Sequence, residues 1–197
     1  MKNLLLTIKP IELFLPVKLI IKKLFIIFLF INFLCFTNNS YSETKIFKDN
    51  GIIVIMYHRF EENKYPSTNI RIEDFKLHLD LIKKSNFEFV SHNEFDLLIN
   101  ESNNRKKILL TIDDGFKSFY KEAWPFLKEN NIPFILFVST EPVGKNGYMN
   151  WDEIKEIEKS DIGFIGHHSH THEYLIDMSE AEFVNDIEIA TKIFQEK

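Results

Sequence analysis

The run Lys107-Ile108-Leu109-Leu110-Thr111-Ile112 limits the choice of fold more than any other stretch. Four of its six residues are apolar with no alternation, and it stops at the turn-forming Asp113-Asp114-Gly115. A short apolar run of this kind reads as a strand covered on both faces, and such strands belong to parallel sheets whose crossovers are helices. The rest of the chain supplies that alternation. Residues 51–57, 87–90, 133–138 and 161–166 read as further strands. Between them, residues 73–84 put Phe75, Leu79 and Ile82 on one helical face, and Ser91-x-x-Glu94 opens a helix to about Ile99. A helical pattern follows Gly115 to Asn130, where Pro125 should kink or restart it. Asn150-x-x-Glu153 and Ser179-x-x-Glu182 begin two more helices. A parallel α/β architecture is expected.

Parallel α/β folds place their chemistry beyond the C-terminal ends of the strands. Neighbouring residues on a strand point to opposite faces, but the turn at Gly115 can re-aim one aspartate so that both reach one site. Such a pair offers one carboxylate to hold a cation and one to take a proton. Alone, Asp-Asp-Gly is better read as a turn that caps the next helix. A second feature changes that. Four of the seven histidines fall within His167-His168-Ser169-His170-Thr171-His172, directly after a strand. His168 and His172 are four apart, so one helical turn would put both imidazoles on one face. Zinc is commonly held by such a pair plus a carboxylate, with a position left open for water. Any one of these histidines reads as surface. Two strand ends in one sheet, one with paired aspartates and one with H-x-x-x-H, read as a joint site. His167 lies off that face, pointing inward or bonding to the ligands' neighbours, and His170 is expected to be exposed. His78 and His92 read as structural. His58 closes the first strand and could face the same crevice; position alone leaves it undecided.

The chain has 197 residues, 45% hydrophobic and 27% charged, which suits one globular domain. Its first 42 residues differ from the rest. Five lysines precede an apolar run at 24–36 broken only by Asn32, and small residues Ser40 and Ser42 follow. This matches a secretory signal cleaved after Ser42, with an uncleaved membrane anchor through 24–36 as the alternative. Export to the periplasm, cell envelope or medium is expected either way. Cys35, the only cysteine, lies inside this segment, so residues 43–197 have neither a disulfide nor a thiolate ligand. Without residues 1–42 the formal charge falls from -5 to -9, through loss of five lysines and one acid. That balance argues against a nucleic-acid partner.

Thr111-Ile112-Asp113-Asp114-Gly115 resembles the T-F-D-D-G motif of the polysaccharide deacetylases, the NodB-homology or carbohydrate esterase family 4 group. Residues 166–172 resemble their G-x-H-[ST]-x-x-H motif. Met56-Tyr57-His58-Arg59 resembles the M-Y-H opening of the poly-N-acetylglucosamine deacetylase branch, whose barrel is circularly permuted. The resemblance runs from about Gly51 to the end. It implies a distorted (β/α) barrel and a divalent metal, usually zinc, held by Asp114, His168 and His172. It also implies Asp113 as general base, His58 as general acid, and hydrolysis of N-acetyl groups on an amino-sugar polysaccharide or oligosaccharide. The family's arginine- and proline-rich P-[YF]-G motif does not occur before Lys197. The implied domain at 43–197 is therefore partial, its barrel incomplete at the C-terminus. The alternative is a truncated, impaired or inactive fragment that binds glycan or metal without turnover. A glycoside hydrolase fits poorly, because its two acids stand about 5–9 Å apart across the substrate.

Overall fold

The computed structural model describes residues 51–98 and 106–197. The segment read as signal or anchor, residues 1–42, lies outside them. Among the described residues no helix is long and apolar enough to cross a membrane.

The expected α/β architecture is present. Strand β5 (Lys107–Ile112) lies inside a five-stranded sheet and is buried at every residue. Strand β1 (Ile52–Tyr57) pairs with it in parallel along its whole length. The other flank is shared. Strand β4 (Glu88–Phe89) pairs with Lys107 and Ile108, while β6 (Phe134–Val138) pairs with Thr111 and Ile112. Strand β7 (Gly163–His167) adds to β6, again in parallel. Lys107 is only 8% exposed; its amine reaches solvent's edge through an ion pair with Glu88. A separate two-stranded ribbon, β2 (Arg59–Phe60) and β3 (Asn69–Ile70), flanks the polar stretch between them.

The helices follow their start signals. Helix α1 is Ile72–Lys84 and α2 is His92–Leu98, which Ser91 and Glu94 cap reciprocally. Both α4 (Trp151–Glu158) and α5 (Glu180–Glu196) begin with complete capping boxes, at Asn150 and Ser179. The pattern after Gly115 is broken at the expected place: a π-helical turn, Phe119–Ala123, gives way to α3 (Trp124–Glu129) around Pro125. Proline has no N–H to donate and its ring crowds the carbonyl four residues back, so one register cannot run through it.

The core lies between the sheet and these helices. Leu110, Ile112, Leu136 and Val138 meet Phe75, Leu79, Leu127, Ile154 and Ile157, each worth about 1.5–3 kcal/mol of burial. Phe75, Phe60, Phe119 and Phe134 form, in that order, a chain of ring contacts at 5.0, 5.9 and 5.3 Å between centroids. Gly166 lets β7 lie against β6, since a Cβ there would come within 2.5 Å of the Phe137 ring. All sheet pairings are parallel, so β1, β5, β6 and β7 end on one edge of the sheet. With strands about 4.8 Å apart, the ends of β5 and β7 lie roughly 10 Å from each other across β6. An aspartate from one and imidazoles from the other can span that gap.

Candidate metal centre

The β1–β5 ladder runs one residue past the strand, with Asp113 N donating to Tyr57 O at 2.9 Å. The chain then turns abruptly. Asp114 and Gly115 both adopt left-handed backbone, φ +73° and +74°. A non-glycine residue in that region costs about 1–3 kcal/mol and is retained where the surroundings enforce it. The re-aiming expected at Gly115 thus begins at Asp114 itself. Both aspartates are 8% exposed.

The other half of the site comes from the loop after β7. His168 Nε2 lies 3.2 Å from Asp114 Oδ1, and His172 Nε2 lies 2.9 Å from the same oxygen. The two imidazole centroids are 4.9 Å apart. Ligand atoms of Asp114, His168 and His172 all fall within 4.8 Å of one another. Despite these short approaches, Asp114 Oδ1 is buried and has no partner in hydrogen-bond geometry. A buried carboxylate oxygen without a hydrogen bond, faced by two imidazole nitrogens, is poorly satisfied by protein alone and well suited to a cation. One carboxylate and two imidazoles is also a donor set that divalent zinc accepts. The residues present fit a metal ion.

The histidine pair does not lie on a helix. Residues 168–174 contain no helical turn. Instead Ser169 and His172 adopt φ +63° and +62°, and the loop doubles back to bring the rings together. The expectation of a shared helical face is corrected here. A spacing of four is equally met by a tight turn, and the hydrogen bonds around this loop favour the turn. His168 N donates to Val138 O (3.1 Å), and Ser139 Oγ donates to His168 O (2.6 Å). Thr140 N donates to Ser169 O (3.2 Å), and His172 N donates to Ser169 Oγ (3.2 Å). The small residues that end β6 thus hold the loop while leaving the crevice open.

The charges in this pocket push the two aspartates apart. Burial raises the Asp113 carboxyl above its ordinary value, only partly opposed by His168 and His58. Burial would raise Asp114 as well, but its contacts with His168, His172 and His58 outweigh that and hold it below the carboxylate range. His168 is raised in turn, chiefly by its contact with Asp114. One carboxylate is therefore kept ionised and the other biased towards accepting a proton. Asp113 Oδ1 is also buried without a hydrogen bond. His58 sits half-buried between β1 and β2, near enough for its charge to act on both aspartates.

The remaining histidines separate clearly. His167 Nδ1 accepts from Ser169 N at 3.0 Å, one of the two roles left open for it. His170 is half-buried, not exposed as expected, because its Nδ1 is hydrogen-bonded to Thr140 Oγ1 at 2.8 Å. His78 bonds to Tyr57 and His92 stacks on Phe164. A cleft of about 200 Å³ adjoins the centre, bounded by Asp114, His172, Arg59, Tyr65, Phe116 and Tyr148. The Arg59 guanidinium lies 3.4 Å over the Phe116 ring and 4.0 Å from that of Tyr65, and pairs with Glu62 at 2.8 Å. Sequence reading passed over this wall, since its residues come from separate stretches of the chain, around residues 59–65, at 116 and at 148. A larger cavity of about 360 Å³, lined by Trp151, Ile154, Ile165 and Phe194 among others, contains none of the clustered aspartates and ligand histidines.

Carboxylate and imidazoles gathered at the C-terminal edge of a parallel α/β sheet make a candidate metal site, and comparison with known proteins bears on what such a chain does. The polysaccharide deacetylase family model matches residues 100–197, which contain both motifs. A poly-beta-1,6-N-acetyl-D-glucosamine N-deacetylase of Staphylococcus aureus is 23% identical, over 74% of this chain and 60% of its own length. A putative polysaccharide deacetylase of Bacillus subtilis is 23% identical, over 58% of this chain and 41% of its own. The chain thus spans less than two thirds of these relatives. Among solved structures, IcaB from Ammonifex degensii superposes with a TM-score of 0.68 at 29% identity, covering 75% of this chain and 69% of that one. Residues 100–197 thus belong to the polysaccharide deacetylase family, and the fold is the (β/α) barrel type of the NodB-homology group.

Proposed function

We propose that this protein removes N-acetyl groups from an amino-sugar polysaccharide or oligosaccharide, with Asp114, His168 and His172 holding a divalent metal, zinc by preference. The observation that carries the reading is the meeting of Asp114 Oδ1 with two imidazole nitrogens at 2.9 and 3.2 Å. An ion bound there would supply Lewis acidity, lowering the pKa of water and polarising the acetyl carbonyl. Asp113, biased by burial towards protonation, takes the proton from the attacking water. The amide C–N bond then breaks. His58 delivers a proton to the departing amine, and acetate carries away the water's oxygen. Asp114 stays ionised throughout, which is why two adjacent aspartates are required. Tyr65 and Tyr148, which line the cleft beside Asp114 and His172, offer aromatic surface to a sugar ring next to the reacting group, while Phe116 lies buried beneath Arg59. The relatives' names point to poly-N-acetylglucosamine as the polymer class. Residues 1–42 act as a signal or anchor that delivers the chain to the envelope or beyond.

The test is acetate release from β-1,6-linked N-acetylglucosamine oligomers by the full chain. Acetate is expected with zinc present, lost on chelation and restored when zinc is returned. The chain's 60% coverage of its Staphylococcus aureus relative gives weight to one other reading, an inactive binding fragment. Metal binding without acetate release would favour that reading and overturn the first.

A further inference from the structure

His168 and His172 face one oxygen only because the loop between them doubles back, and its internal side-chain bonds, Ser169 N to His167 Nδ1 and His172 N to Ser169 Oγ, are two contacts at 3.0 and 3.2 Å. Two of its residues, Ser169 and His172, hold left-handed backbone without being glycine. Further hold comes from outside the loop. We infer that Asp186, on α5, is the positioning residue that clamps this loop into its ligand-presenting form. The inference rests on the reading of Asp114, His168 and His172 as metal ligands.

Asp186 is 4% exposed and lies 14 residues beyond His172 in the chain. Its Oδ2 accepts from His170 N at 2.7 Å, and its Oδ1 accepts from Thr171 N at 2.9 Å and Thr171 Oγ1 at 2.7 Å. Three donors thus converge on one carboxylate, all from the two residues midway between the imidazoles. Hydrogen bonds to an ionised acceptor are shorter and roughly twice as strong as neutral ones. The neighbouring bonds to this loop do not involve a carboxylate and each is single: those of Thr140 N, Glu141 N, His168 N and His172 N run 3.0–3.2 Å, Ser139 Oγ meets His168 O at 2.6 Å and Thr140 Oγ1 meets His170 Nδ1 at 2.8 Å. Asp186 is therefore the strongest single hold on the turn.

Both carboxylate oxygens are occupied by the loop, and Asp186 stands outside the Asp114, His168 and His172 cluster. It acts through the ligands, as outer partners of a metal site do. A carboxylate is also required here. Every group it faces is a donor, so an asparagine would turn its own NH2 against one of the N–H groups. The capping box at Ser179 fixes where α5 begins, and hence the level at which Asp186 meets the loop.

The test measures zinc affinity of the full chain by chelator competition, with the visible spectrum of the cobalt-loaded form as a second readout. Asp186→Asn should weaken zinc binding by about 10–100-fold, the range typical of outer-shell partners, and alter the cobalt bands. Thr171→Val, which deletes one donor and spares the backbone bonds, should shift both readouts the same way by less. It also decides the matter if Asp186→Asn does not fold. A merely structural Asp186 would lower the melting temperature and leave the affinity and spectrum of the folded protein unchanged; that result overturns the inference. Absence of zinc binding in the unsubstituted chain would instead overturn the metal-site reading on which it rests.

Discussion

Asp114→Ala should abolish metal binding by the full chain, weakening affinity at least about 100-fold, beyond the usual cost of losing an outer-shell partner. Asp114 brings the only carboxylate in the cluster, and its Oδ1 is the atom that both imidazoles approach. Its removal leaves two imidazole nitrogens and no carboxylate ligand for a divalent ion. Alanine would also inherit the left-handed backbone at this position. Asp114→Asn is the cleaner companion, since asparagine tolerates that conformation and keeps the shape while losing the charge. Equilibrium dialysis with zinc reads both. Retention of zinc by both variants would mean the ion, if any, sits elsewhere.

Asp113→Asn should do the opposite: bind zinc within a few-fold of the unsubstituted chain and lose about 10²–10⁴ in acetate release, the usual worth of a general base. The two aspartates are adjacent in sequence, so this contrast is demanding. It follows from their environments. Asp114 is held ionised by its imidazoles, whereas burial raises Asp113 and the cluster does not include it. In the unsubstituted chain activity should fall as the pH drops through that raised value, because the protonated base cannot accept a proton. The residual activity of Asp113→Asn should lack this acid limb. Equal loss of zinc in both variants would contradict the division of roles.

Much of this was legible in the sequence because its causes are local. Capping boxes at Ser91, Asn150 and Ser179 are satisfied within three residues, and the break at Pro125 follows from one ring and one missing N–H. The paired aspartates at the end of an apolar strand, and histidines at the end of another, announce a joint site once a parallel sheet is assumed. The shape of the histidine loop was not legible. A four-residue spacing suits a helix or a turn, and the choice is made by Val138, Ser139, Thr140 and Asp186, all distant in sequence. The β2–β3 ribbon was missed because two-residue strands carry no period. Asp186 did leave a trace: it is an acid in line with Ala190, at the buried side of α5. An acid on an apolar stripe invites a search for the donors that satisfy it.

Zinc-edge X-ray absorption on the loaded chain tests most directly whether one ion is shared by the ends of β5 and β7. The spectrum should require two imidazole nitrogens at about 2.0–2.1 Å together with oxygen ligands at about 2.0–2.2 Å. A fit needing one imidazole or none would contradict the account.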